Sequence, residues 1–88
     1  MVTSQHAQRR WLQYFAAHDL VAEYSCAKPA GKKTKQQIRR QCRARYRPRF
    51  EDRGVYYLRS PANAVFVVAP GEFIVDIFPL GEKVVTRA

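Results

Sequence analysis

The sequence predicts an α+β domain, with an N-terminal helix and a basic second helix packed on one face of a four-stranded antiparallel meander sheet. Three observations lead there. Apolar residues recur at helical spacing through the first 20 residues, but from Gly54 onward the apolar period is two. Strong turn signals, Pro61, Pro70-Gly71 and Leu80-Gly81, cut that second region into short segments. The chain of 88 residues has room for one domain with a modest core and a thin stability margin. The domain spans 1–88, as helix 1–20, connector 21–31, basic helix or arm 32–50, and sheet 54–88.

The first element is TSQHAQRRWLQYFAAHDL, with Thr3 or Ser4 as N-cap. At 100° per residue, Ala7, Trp11, Tyr14, Phe15 and His18 fall within one arc, with Leu12 at its edge, and that arc faces the core. His6 and Arg10 lie one turn apart on a polar arc, flanked by Arg9. Pro29 and Gly31 end any helical continuation, so 21–31 reads as connector with a short extended piece at Val21 to Ser25. A second helix runs from Lys33 to Tyr46 and stops before Pro48. Its apolar stripe of Ile38, Cys42 and Tyr46 is one residue wide, so it is marginal alone.

The strands are VYYLRS, NAVFVVA, EFIVDIFP and KVVTR. Their loops are short, which favours antiparallel neighbours. AVFVV lacks polar alternation and reads as an interior strand covered on at least much of both faces.

Charge is the strongest functional signal. The net charge is +9, and it is local: residues 32–50 hold nine Lys or Arg and no acid, whereas 54–88 hold three basic and three acidic side chains. A patch of this kind attracts nucleic acid or anionic surfaces over long range and releases counterions on contact. As a helix, the segment aligns Lys35, Arg39, Arg43 and Arg47 at spacings of four. With Lys32, Lys33, Arg40, Arg45 and Arg49, these are the expected nucleic-acid contacts, on RNA more than on DNA. An arginine-rich arm that folds only on RNA is the other form this segment can take. The apolar stripe is too narrow, and lacks Trp or Phe, for membrane association.

Other chemistry is poorly supplied. Cys26 and Cys42 are too few for a disulfide framework or thiolate zinc site, and buried reduced thiols are expected. His6 and His18 stand on different arcs, so no metal centre is expected, and no glycine-rich phosphate loop or nucleophile elbow suggests a cofactor. Residues 1–20 lack a secretory pattern, and no run of 18 apolar residues occurs; a cytoplasmic protein is expected.

RNA cleavage by its own 2′-hydroxyl needs only a base, an acid and cations aimed at the phosphate. His6 and Arg10 share one helix face. On the first strand, alternation sets Tyr57 with Arg59 and Tyr56 with Ser60. If the helix borders that strand, His6 handles a proton, Arg10 and Arg59 hold the phosphate, and Tyr57 stacks a base or assists proton transfer. Asp76 reads equally as an exposed sheet residue, an arginine partner or an acid at a site.

The segments SQHAQRR and YYLRSPANAVFVVAPGEFIVDIFPL resemble small toxin ribonucleases of the barnase, colicin and RelE-like group. The matching positions are Ser4, His6, Ala7 and Arg9, with the final strands at 64–69 and 72–78. The resemblance covers the two ends of the chain and skips the basic middle. It implies a metal-independent endoribonuclease whose active face lies where helix meets sheet, held off by a protein antitoxin. Two non-enzymatic classes stand beside it. One is a phage or mobile-element protein that docks a host protein or nucleoprotein complex through its cations, with an acidic partner. The other is a structural RNA-binding protein.

Overall fold

The computed structural model of the chain describes residues 2–41 and 54–80. Its elements are β1 (Val2–Thr3), α1 (Gln5–Phe15), α2 (Leu20–Ser25), β2 (Lys28–Pro29), α3 (Lys32–Gln41), β3 (Tyr56–Arg59), β4 (Ala64–Ala69) and β5 (Phe73–Pro79). The α+β class is as expected, but the sheet is not four antiparallel strands. It has five strands in the order β1-β5-β4-β3-β2, with β1 parallel to β5 and the other pairs antiparallel. The meander β3-β4-β5 matches the first three expected strands. The fourth, at 83–87, lies outside the described residues. At Phe73 and Ile74, β1 occupies the edge of β5 that the fourth strand of a meander would take.

The helices do not share one face of the sheet, and β4 explains why. All of Ala64 to Val68 is buried, as the unalternated run AVFVV requires, so each face of the strand needs its own cover. On one face, Ala64, Phe66 and Val68 pack with Ala7, Trp11 and Phe15 of α1 and with Ile74 and Ile77. Trp11 stacks on Phe15 at 4.9 Å between ring centroids and on Phe66 at 6.0 Å, while Tyr24 of α2 meets Phe66 edge-on at 5.4 Å. On the other face, Val65 and Val67 pack with Tyr57, Phe78, Leu80 and Ile38 of α3. The expected packing of both helices on one side is therefore wrong: α1 and α2 lie on one side and α3 on the other.

Ser4 caps α1, its Oγ accepting from the Ala7 N–H at 3.0 Å. The helix stops at Phe15, short of the expected residue 20. His18 is consequently exposed instead of buried, with its ring edge-on to Phe15 at 6.4 Å and its carbonyl accepting from Trp11 Nε1 at 3.2 Å. Leu12 is 69% exposed, beyond the buried arc. The expected connector 21–31 contains real elements. Asp19 caps α2 through the Ala22 N–H, and β2 pairs with β3.

Two contacts fasten α2. Tyr24 Oη donates to Glu72 Oε1 at 3.3 Å, and burial, then the Glu72 charge, push its phenol above the ordinary value. Glu23 Oε1 accepts from the Ala62 N–H at 3.0 Å. That bond, followed by the Ser60 hydroxyl, holds the Glu23 carboxyl below its ordinary value. In α3, Thr34 and Ile38 face inward one turn apart, and Cys42 and Tyr46 of the expected stripe lie outside the described residues. No helix among the described residues is long and apolar enough to cross a membrane. Cys26 is exposed, contrary to the buried thiol expected.

Two outcomes test this packing. Ile38 is fully buried against the α3 face, so Ile38→Ala should cost about 2–5 kcal/mol in chemical denaturation and abolish amide protection in α3 before that in α1. For Glu23, the folded value lies below that of an undocked carboxyl. Its contribution is therefore complete above about pH 4.5 and is lost as pH falls through the lowered folded value. Acid titration of the Ala62 amide resonance should follow this, and Glu23→Gln should remove the inflection.

Candidate active site

The site is assembled at an irregularity in β5. Val67 pairs with Asp76 and Val68 with Ile74, so Val75 is an extra residue and β5 bulges there. A bulge re-aims side chains and leaves backbone groups to be satisfied elsewhere. Ser4 supplies that satisfaction: its N–H donates to the Ile74 carbonyl at 3.0 Å and its hydroxyl to the Val75 carbonyl at 3.1 Å. The residue that starts α1 is thereby bonded to the bulge, and the first turn of the helix lies over Asp76.

Three charged or titratable side chains meet at that point. His6 Nε2 lies 3.2 Å from Asp76 Oδ1. Arg10 Nε lies 3.5 Å from the same ring nitrogen and 3.9 Å from the same carboxylate oxygen. Asp76 Oδ1 also accepts the Ile77 N–H at 2.8 Å, which fixes the carboxylate on its own strand. The side chains of Asp76 and Arg10 are 17% and 23% exposed, whereas His6 is 56% exposed. The histidine is thus the solvent-facing member of a partly sheltered group.

The shorter contact decides the tautomer. Arg10 Nε–H aimed at Nε2 needs the lone pair there, whereas Asp76 Oδ1 at 3.2 Å needs the proton; assigned by the shorter contact, Nε2 carries the proton toward the carboxylate and the neutral ring keeps its lone pair on Nδ1. Such a ring is oriented by a carboxylate on one nitrogen and free to accept a proton on the other. Arg10 Nη1 donates to Tyr14 Oη at 3.4 Å, which extends the row to His6, Arg10 and Tyr14 at i, i+4 and i+8. Among the described residues, no three His, Cys, Asp or Glu side chains cluster in a way that could hold a metal ion.

Of the expected catalytic residues, His6 and Arg10 come together, and Tyr57 and Arg59 do not join them. Tyr57 is 1% exposed in the core on the α3 face. Arg59 shares that face, since it pairs with Val65 of the same core layer. The expected convergence required α1 to border β3; α1 lies over β5 instead, and β4 stands between β5 and β3. Alternation was right, but it presents Tyr56, which is exposed and pairs with Val68, toward the α1 face. The expected nucleic-acid contacts Lys32, Lys33, Arg39 and Arg40 are exposed on α3, and Lys35 is half-buried. Arg43, Arg45, Arg47 and Arg49 lie outside the described residues.

Asp76 is the member that alternation alone left undecided. The signal was its setting: an acid in the apolar run FIVDIF needs a partner if it is not fully exposed. Tyr14 reads as core by its arc and is indeed half-buried, but its hydroxyl reaches Arg10. The chain matches no known family model, no curated protein and no solved structure.

Proposed function

We propose that this chain is an RNA-directed protein that cleaves the RNA backbone through its own 2′-hydroxyl, with His6, Arg10 and Asp76 as the working group. The observation that carries the reading is the 3.2 Å contact of His6 Nε2 with Asp76 Oδ1 beside Arg10, at an exposed position on a strongly basic chain. The resemblance of SQHAQRR to toxin ribonucleases supports the same reading.

His6 Nδ1 takes the proton of the 2′-hydroxyl, and Asp76 stabilises the imidazolium that forms. The 2′-oxygen bonds to phosphorus, the bond from phosphorus to the 5′-oxygen breaks, and the departing oxygen takes a proton from water. The products are a 2′,3′-cyclic phosphate and a 5′-hydroxyl, and His6 returns its proton to solvent. Arg10 is placed to meet the charge that develops on the phosphate oxygens, where a fixed guanidinium is worth most. The cations of α3 set affinity and position but not sequence preference.

A binding role without cleavage, on nucleic acid or on an acidic protein such as an antitoxin or host factor, draws on the same exposed cations of α3. Purified protein incubated with end-labelled RNA in EDTA separates the readings. Fragments ending in 2′,3′-cyclic phosphate are expected. His6→Ala should lower their rate by about 10²–10⁴-fold, and Asp76→Asn by about a hundredfold, with RNA affinity unchanged. RNA that shifts in a gel but stays intact would leave a binder. The absence of both cleavage and shift would overturn the proposal.

A further inference from the structure

A second feature lies on the opposite face of the sheet from His6. A cleft of about 420 Å³ opens between β2, the first turn of α3 and the β3–β4 turn, with Lys28, Arg59, Thr34, Asn63 and Ser60 among its walls. Its size falls within the roughly 300–1,000 Å³ of small-ligand sites, although this one is polar and open.

Its two cations are direct cross-strand partners, since Lys28 pairs with Arg59 in the β2–β3 register. Side chains directly opposite on antiparallel strands share a face with Cβ atoms about 4.5–5.5 Å apart, and like charges there repel. Only neutral groups hold the guanidinium. Arg59 Nε and Nη2 donate to Asn63 Oδ1 at 3.1 and 2.9 Å, and Nη1 to Thr34 Oγ1 at 3.4 Å. Among the described residues, neither Lys28 nor Arg59 forms an ion pair with a carboxylate. Glu23, the acid bonded to this turn, is committed to the Ala62 N–H.

The acceptor that orients Arg59 is itself fixed. Asn63 sits in the left-handed region at φ 64°, which asparagine tolerates better than most residues. Its N–H donates to the Ser60 carbonyl at 2.9 Å, and its carbonyl accepts the Leu80 N–H at 2.8 Å. A repelling pair of cations is thus set side by side, with the guanidinium clamped and neither cation ion-paired to a carboxylate among the described residues. An external anion removes that repulsion.

We propose that this cleft is a second anion site that binds a phosphate of a nucleic-acid backbone. Arg59 supplies a fork of N–H donors and Lys28 a point charge. Thr34 and Asn63 offer hydroxyl and amide groups suited to sugar and phosphate oxygens. Exposed Lys32 and Lys33 open α3 just ahead of Thr34 and add to the positive charge of this region. This assignment rests on RNA as the partner and extends it to a face that the cleavage group does not occupy.

The test uses a 2′-O-methyl RNA dodecamer, which cannot be cut through its 2′-oxygen, titrated at several salt concentrations into wild-type, Lys28→Ala and Arg59→Gln protein. Each substitution should weaken binding several-fold and shallow the slope of log K against log salt by about 0.7, the value for one phosphate on a single strand. Arg59→Lys should recover the slope but not the full affinity, because it keeps the charge and loses the fork. Lys28 is exposed on an edge strand, so Lys28→Ala should keep the wild-type circular dichroism spectrum.

Wild-type slopes in both variants would overturn the assignment, as would failure of the dodecamer to bind. Equal displacement by an oligoglutamate of the same charge would give the cleft to an acidic protein instead. Cleavage assays run in parallel keep the two proposals apart. Reduced slopes without cleavage would support the cleft and sink the ribonuclease reading, whereas cleavage with unchanged slopes would do the reverse.

Discussion

The structure depends on the joint between Ser4 and the bulge of β5. One side chain caps α1 through the Ala7 N–H and bonds the Val75 carbonyl, while its backbone bonds Ile74. A helix start and a sheet irregularity therefore satisfy each other's backbone groups. Removing the bulge would shift Ile74 and the Ser4 bonded to it relative to Asp76, and removing the cap would free the first turn that carries His6. Each partner would then lose the other, because the 3.2 Å contact needs both placements at once.

Around that joint, the core is organised by a strand that needs cover on both sides. β4 buries Ala64, Phe66 and Val68 under α1 and α2, and Val65 and Val67 under α3. The two covers differ in kind. The α1 side is aromatic, built on Trp11, Phe15 and Phe66, while α3 contributes Ile38 as its buried anchor among the described residues. The consequence is a division between faces: α1, which carries His6 and Arg10, lies on the well-packed side, and the cationic cleft and the basic helix stand on the other. The cations of α3 are presented to solvent because that helix has so little to bury.

Much of this was legible in residue pattern, and the failures have physical causes. The Ser4 cap, the buried Ala7, Trp11 and Phe15 and the three meander strands follow from spacing alone. The interior character of AVFVV was readable too, yet its corollary, helices on both faces, was not drawn from it. α2 is six residues long, too short to show a period, although Asp19 ahead of it is an N-cap signal. β1 and β2 are two residues each and exist only through their pairing with β5 and β3, which no local pattern records. His6 with Arg10 was visible as a helical pair, whereas Asp76 joined them only through a bulge 66 residues further along, between the pairings of Val67 and Val68. Tyr57 and Tyr56 were correctly assigned to opposite faces; what sequence could not say was which face α3 would cover.

The account turns on a histidine whose proton is directed by a carboxylate. Long-range ¹H–¹⁵N correlation spectra of the imidazole rings read this directly, with His18 as an exposed internal reference. Neutral His6 is expected as the Nε2–H tautomer, with that proton slowed in exchange and the preference lost in Asp76→Asn. A His6 ring that matches His18, or one that carries its proton on Nδ1, would contradict the account.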